Sequence, residues 1–323
     1  MKKIILLTLL LIIMAFGGLF AYVSQMDWNT QKEKLSAQLT EITGKKIQFS
    51  GDLHVKLLPH PQLSAADVNI LNSQTGDKLA TIKNLETEIT LSSLLHRKTD
   101  IQSLSLEGVE AWFNFDKDGN SNWKQSRQQD SLSSGNTLNL HNFNIKKSTI
   151  HFDHKKYDVA FDLNAFNADV QVGGPNGPYR LDGSFLKNDD RYGIALNVDS
   201  LSQLEGVGMS LVVTHPATES NLRYDGSYNA VDDGISGDFS GQSQKTADFV
   251  NSLINKKLIR DEFNVPLMFS TTLQFDTNEN KFSNLVVKFD KILEGAGNIS
   301  IPAAQKDKNR EVNVKYQLVK LIK

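Results

Sequence analysis

With 323 residues and 36.0 kDa, the chain is long enough for one large domain or two ordinary ones and can bury a substantial core. Its 35 Lys and Arg against 37 Asp and Glu leave a formal net charge of -2, which removes the global basic field that nucleic-acid binding draws on. The absence of Cys excludes disulfides, thiolate nucleophiles and Cys-ligated zinc or iron–sulfur sites together, and leaves the compartment open.

After Lys2 and Lys3, residues Ile4 to Val23 carry no charge. At about 1.5 Å per residue this stretch spans roughly 30 Å as a helix, the thickness of a bilayer's hydrocarbon core. A cleaved signal peptide is the rival reading, but its apolar region usually runs about 7–15 residues before a small-x-small site. Ala21-Tyr22-Val23 is a poor site of that kind, so residues 1–23 are read as an uncleaved transmembrane anchor. The two lysines ahead of it place the N-terminus in the cytoplasm and the remainder of the chain outside it.

Thr30-Gln31-Lys32-Glu33 has the capping-box pattern. Leu35, Leu39 and Ile42 follow at helical spacing, and Gly44 sits where a left-handed C-cap belongs. This predicts one short amphipathic helix whose narrow apolar stripe rests on the first strands rather than on the membrane surface.

From residue 46 the period becomes two. Ile47, Phe49, Leu53, Val55 and Leu57 fall on one side and Gln48, Ser50, Asp52, His54 and Lys56 on the other. The alternation returns at Val109/Ala111/Phe113/Phe115, Val159/Phe161/Leu163, Ile194/Leu196/Val198, Leu222/Tyr224/Tyr228 and Leu267/Phe269/Leu273/Phe275. Turn residues at Asp116–Asn120, Gly173–Pro178 and Asp232–Gly234 suit a meander of antiparallel hairpins rather than β-α-β crossovers. Two segments interrupt it: the polar stretch Lys124–Asn136, read as a flexible loop over 124–137, and a helix over 242–259 with Phe249, Val250, Leu253, Ile254 and Leu258 on one face. The expected fold is therefore mainly β: a transmembrane helix, a short amphipathic helix, then one long antiparallel sheet, with regions 24–123 and 138–323 on either side of the loop.

A short pattern with a central Gly recurs as FSGDL (49–53), LDGSF (181–185), YDGSY (224–228), ISGDF (235–239) and LEGAG (293–297). Gly within a strand marks a bulge, a bend or a close backbone approach, and its repetition suggests a sheet curved in the same sense at each pass, with chance as the rival explanation.

TGKKIQFSGDLHVKLLPHPQLSAADVNILN (43–72) and LSSLLHRKTDIQSLSLEGVEAWFNFDKDGNSNW (91–123) resemble the N-terminal region of the AsmA family of bacterial envelope proteins. The features that carry the resemblance are the membrane helix, the short helix ending in Thr43-Gly44, the strand with Gly51, the Pro59/Pro61 turn and the strand at Asp67-Val68. The Leu94-Leu95 segment and the Asp118-Gly119-Asn120 turn closing with Asn122-Trp123 complete the set. The resemblance is close over 1–123 and looser afterwards, where HNFNIKKSTIHFD (141–153) and LEGAGNISI (293–301) look like later strands of the family. It implies an inner-membrane anchor, a periplasmic body and a curved, taco-like sheet with an apolar groove along which phospholipid or other acyl-chain lipids pass. Under that reading Phe113, Phe115, Phe161, Leu163, Phe185, Tyr224, Phe239 and Phe269 line or flank the lipid path. The plainer reading is that they fill an ordinary core, or a scaffold that binds envelope protein partners. Periodicity alone does not choose between a groove, a sandwich and a barrel.

Signals for chemistry are sparse. His151 and His154 fall on opposite faces of a strand, while His54, His60, His96, His141 and His215 lack ligand spacing and read as solvated residues. Asp116-x-Asp118-Gly119-Asn120-x-Asn122 superficially matches a calcium loop, but it lacks the distal Glu and its Gly comes too early, so it reads as a hairpin turn with Trp123 as a packing anchor. Walker, GxSxG and GxGxxG motifs are absent. The expectation is a protein without catalytic residues, metal or cofactor; an envelope hydrolase is the disfavoured third class.

Overall fold

The structure, a computed structural model, describes residues 27–56, 62–89, 99–124, 138–140, 142–156, 158–174, 176–201, 206–229, 234–254, 257–276, 279–291, 293–302 and 313–321. Several sequence expectations therefore lie outside the described residues: the anchor over Ile4–Val23, Leu57, the Pro59/Pro61 turn, Leu94-Leu95, most of the 124–137 loop, and His60, His96 and His141. Among the described residues no helix is long and apolar enough to cross a membrane. The chain divides into two compact units, Met1–Asp162 and Leu163–Lys323.

The first unit opens with a 3-10 turn, Trp28–Gln31, leading into helix α1, Lys32–Thr43. The 3-10 turn is capped by Asp27, whose carboxylate accepts the Asn29 N–H at 3.0 Å while the Thr30 hydroxyl donates to the Asp27 carbonyl at 2.7 Å, and the N-cap position of α1 itself falls on Gln31, without a side-chain cap, rather than on Thr30. The capping box at Thr30 does not form because the extra 3-10 turn carries the helical path back to an acidic residue that suits its orphan donors. At the other end Gly44 takes φ 64°, and its N–H closes on the Thr40 carbonyl at 2.8 Å. The stripe of α1 lies on strands, as expected: Leu35 and Leu39 pack against a core of Ile47, Leu53, Ala65, Val68 and Ile82.

Those core residues come from β1 (Lys46–Phe49), β2 (Leu53–Lys56), β3 (Gln62–Leu71) and β4 (Lys78–Ile89). β1 and β2 pair antiparallel with the two halves of β3, with Ile47 opposite Ile70 and Leu53 opposite Ala65. Gly51 sits at the break between them. A Cβ there would fall 2.7 Å from Ala66, opposite the bulge where Asp67 turns to φ 48°. β4 then pairs antiparallel with β5 (Thr99–Phe115), bringing Leu85 against Leu106 and Ile82 against Val109.

The next step departs from the expected meander. β6 (Leu138–Leu140) and β7 (Asn142–His154) run parallel to β5, with Thr99 beside Leu138 and Phe113 beside Phe152. The Asp116–Asn120 turn does reverse the chain, since the Asp116 carboxylate accepts the N–H groups of Asp118 and Asn120 at 2.8 Å each and Gly119 takes φ 84°. Among the described residues no antiparallel strand follows it. Instead Asn122 bonds back to Asn114 at 2.8 Å, and Trp123 stacks on Phe113 with centroids 5.3 Å apart while its Nε1 donates to the Trp112 carbonyl at 2.7 Å. A parallel partner has to start again at the far end of β5, and the long polar stretch 124–137 is the connection that permits this.

β8 (Val159–Val172) runs through the unit boundary, and the second unit continues as an antiparallel meander. Its further strands are β9 (Tyr179–Lys187), β10 (Asp190–Val198), β11 (Val207–His215), β12 (Ser220–Asn229), β13 (Gly234–Ser243), β14 (Leu267–Phe275), β15 (Glu279–Phe289), β16 (Leu293–Pro302) and β17 (Asn313–Leu321). From β8 to β17 each strand pairs with the next in sequence. Between β13 and β14 stands helix α2, Thr246–Ile254, shorter at both ends than the 242–259 span expected from periodicity. Gln242 and Ser243 remain in the sheet opposite Met268 and Leu267. Beyond Ile254 the chain folds back, because the Asn251 side chain takes the N–H groups of Leu258 and Ile259 at 2.8 and 2.9 Å. An apolar residue every third or fourth position extends past the helix into that return, which is why the pattern overstates its length.

Candidate functional site

The register of the second unit aligns side chains into rows that cross the strands. One row runs Leu181, Leu196, Leu211, Tyr224, Phe239 and Thr271. The next runs Gly183, Ile194, Val213, Leu222, Gly241, Phe269 and Val287. Residues paired across a ladder share a face, so both rows lie on one side of the sheet. The side is apolar almost without interruption. Most of its large residues, including Leu196, Leu211, Leu222, Phe239, Phe269 and Val287, are half-buried rather than buried. Residues in the core of a two-layer sandwich would be closed off from water.

The opposite side is mostly polar, although Met268 and Val286 stand exposed on it. Arg180 meets Asp182 at 3.1 Å, Arg223 meets Asp225 at 2.8 Å and Lys288 meets Glu294 at 3.0 Å, while Thr272 donates to Asp238 at 3.0 Å. Exposed pairs of this kind contribute little stability, and their consequence is that this face suits water.

One end of the apolar side is closed by α2. Phe185, Tyr192, His215 and Phe249 form a continuous ring stack with centroid separations of 5.3, 4.5 and 5.8 Å. The Tyr192 hydroxyl pairs with Ser252 Oγ at 2.6 Å, Ser252 in turn donates to Asp190 at 2.6 Å, and the Lys187 ammonium donates to the Leu253 carbonyl at the end of α2. His215 was expected in solvent but is only 2% exposed, because the strand register carries it beneath α2. Its Nδ1 pairs with Thr218 Oγ1 at 2.7 Å, its Nε2 has no hydrogen-bond partner, and burial pushes its pKa down against the weaker upward pull of Asp190. Ser252 is bonded to the carboxylate and not to the imidazole, so this Ser, His and Asp do not form a base-activated nucleophile.

The eight groove candidates divide between the units. Phe185, Tyr224, Phe239 and Phe269 share the apolar side in register, and Leu163 stands half-buried before the irregularity at Asn164/Asn167. Phe113, Phe115 and Phe161 belong to an aromatic group of the first unit, where Phe115 stacks on His154 at 4.8 Å and Phe152 on Phe161 at 4.9 Å. Phe185 and Tyr224 are buried by their own neighbours; the other six are half-buried. Sequence reading overlooked Leu181, Leu211 and Gly241, whose place in the rows emerges only from cross-strand register. On the polar side of the first unit, His151 lies 2.7 Å from Asp162 and 3.3 Å from Glu110 and stacks on Trp112. Burial lowers its pKa, but the hydrogen bonds to the two carboxylates outweigh burial and hold it raised. Among the described residues no group of three or more His, Asp or Glu could hold a metal ion.

A long antiparallel meander with one apolar and one charged face defines a class of mainly-β proteins that are single-layered over much of their length. The sequence matches the AsmA family over residues 1–283, and the chain belongs to that family, one of the bacterial envelope. No curated protein and no solved structure shows a significant match.

Proposed function

We propose that the protein is a non-enzymatic lipid-binding module of the Gram-negative envelope, anchored in the inner membrane by Ile4–Val23, with its sheet in the periplasm, and that acyl chains lie along the apolar rows of the second unit. The supporting observation is the row from Leu181 to Phe239: large side chains in register over five strands, of which Leu181, Leu196, Leu211 and Phe239 are apolar and only half-buried, with Tyr224 alone buried among them. A chain leaving a bilayer for this surface loses and regains about 0.8 kcal/mol per CH₂, so transfer is near-neutral while the head group stays in water. Such a step needs no nucleotide or metal. Family membership supports an envelope role in outer-membrane lipid balance or assembly.

The test places a photoreactive benzoylphenylalanine in the full-length protein in intact cells, at Leu211 or Phe239 on the apolar side and at Arg223 or Ser240 on the polar side. Irradiation is expected to yield lipid adducts, read by mass, from the first pair only. Equal lipid adducts from both sides, or none from either, overturn the reading; protein adducts alone from the apolar side would support an assembly scaffold instead.

A further inference from the structure

Two rings in the middle of the apolar side do not stand upright. A Cβ built on Gly241 would fall 2.4 Å from Phe269 Cε1, 2.7 Å from Phe269 Cζ and 2.8 Å from Leu222 Cδ2, so the outer edge of the Phe269 ring lies over the backbone of the neighbouring strand. Tyr224 lies down in a similar way along its own strand. Its hydroxyl donates to the carbonyls of Ser227 and Ser236 at 3.2 and 3.0 Å, and a Cβ on Gly226 would come within 2.5 Å of that oxygen. Gly226 faces Gly237 across the ladder, so the Tyr224 hydroxyl rests where two successive strands lack side chains. Both rings fill positions where any larger residue would force them up and away from the sheet. The two seats lie on β12 and β13 on either side of the row of Tyr224 and Phe239, and Phe239 touches Phe269 at 5.2 Å between centroids.

We propose that Phe269 seated on Gly241, and Tyr224 tied across Gly226 and Gly237, set the depth of the acyl track and hence the cross-section of chain it admits. Laid flat, each ring adds about its thickness to the floor; upright, it would obstruct the row. The ligand class that fits a floor lowered in this way is an unbranched hydrocarbon chain in extended form. This inference rests on the lipid-binding reading above and deepens it.

Gly241→Ala isolates the effect, because the atoms it would strike are the outer ends of Phe269 and Leu222 rather than backbone. Gly226→Ala is a poor probe, since its Cβ would lie 2.2 Å from the Ser236 carbonyl oxygen. With benzoylphenylalanine at Val287, beside Phe269 in the row, lipid adduct in the full-length Gly241→Ala protein is expected to fall about fivefold or more, the lower end of what overpacking costs. Adding Phe269→Leu, which removes the ring, is expected to restore it. Phe269→Trp, a larger ring in the same seat, serves if Gly241→Ala does not accumulate as folded protein, and is expected to lower the adduct in the same way. Unchanged adduct in the folded Gly241→Ala or Phe269→Trp protein, or no recovery in the double variant, overturns the assignment. Absence of lipid adduct in the otherwise unsubstituted protein would instead overturn the lipid-binding reading itself.

Discussion

The two units treat the same kind of surface differently. In the first, the apolar face of β1 to β4 lies under α1, and Ile47, Leu53, Ala65, Val68 and Ile82 are closed off into a core. In the second, α2 covers only the end of the face around Phe185, Tyr192 and His215, and most of the large residues in the rows beyond it stay half-buried. Alternating strands produce a greasy side in either case. What decides whether that side becomes core or surface is whether the chain supplies a helix to lie on it, and among the described residues two short α-helices serve many strands.

The contrast should break first at Leu53, which is 1% exposed. Leu53→Ala is expected to cost about 2–5 kcal/mol, as for a closed core, and to lower the unfolding midpoint of the first unit. Leu211→Ala, the same truncation on the open face, is expected to cost about 1 kcal/mol, because a half-buried leucine transfers less area and leaves no sealed cavity. Denaturant unfolding followed by fluorescence and circular dichroism compares the two, and equal costs would mean that the open face is a core after all. Asp27→Ala, which removes the cap of the turn entering α1, should cost about 1 kcal/mol and show as fraying of α1 in hydrogen exchange.

The smallest expected effect has opposite sign in the two units. His215 is held neutral in the folded protein, so the folded state binds a proton less readily than the unfolded chain. Its contribution is complete above the unfolded value of about 6.5 and is lost as pH falls below it. His151 has its pKa raised by Asp162 and Glu110, so its contribution is present below about 6.5 and is lost as pH rises through the folded value. Hydrogen exchange at pH 7.5 and pH 5.5, corrected for intrinsic rates, should show α2 loosening on acidification while β7 around His151 does not. Parallel behaviour of the two regions would remove the distinction.

Much of the strand content was legible, because a period of two is a direct consequence of one-sided burial; Ile47, Phe49, Leu53 and Val55 fall on one face as read. Gly44 was legible as a cap because only a left-handed residue serves there. The glycine repeat was legible as a set of close approaches: Gly183 comes so near Asn167 that a Cβ would lie 2.4 Å from its carbonyl oxygen, and Gly226 and Gly237 meet across a ladder. The parallel pairing of β5 with β7 was not legible. Turn chemistry at Asp116–Asn120 is local, whereas the partner of the next strand is chosen more than a dozen residues later. His215 was misjudged for a related reason, since its position at a strand end says nothing of the helix that arrives over it from residues 246–254. The candidate surface was legible in residue type but not in its rows, which require register.

The meander of the second unit has a corollary for how such a chain can change in size. Each strand from β8 to β17 is bonded to its sequence neighbours, so a whole hairpin can be inserted or deleted with only the flanking ladders to remake. Strand direction is preserved when two are gained or lost, and the odd–even alternation that aligns Leu211 with Tyr224 and Phe239 is preserved with it. Every such pair would lengthen or shorten the surface by about 10 Å without altering its width. Reach is thus an additive property of this architecture, adjustable in fixed increments by tandem duplication.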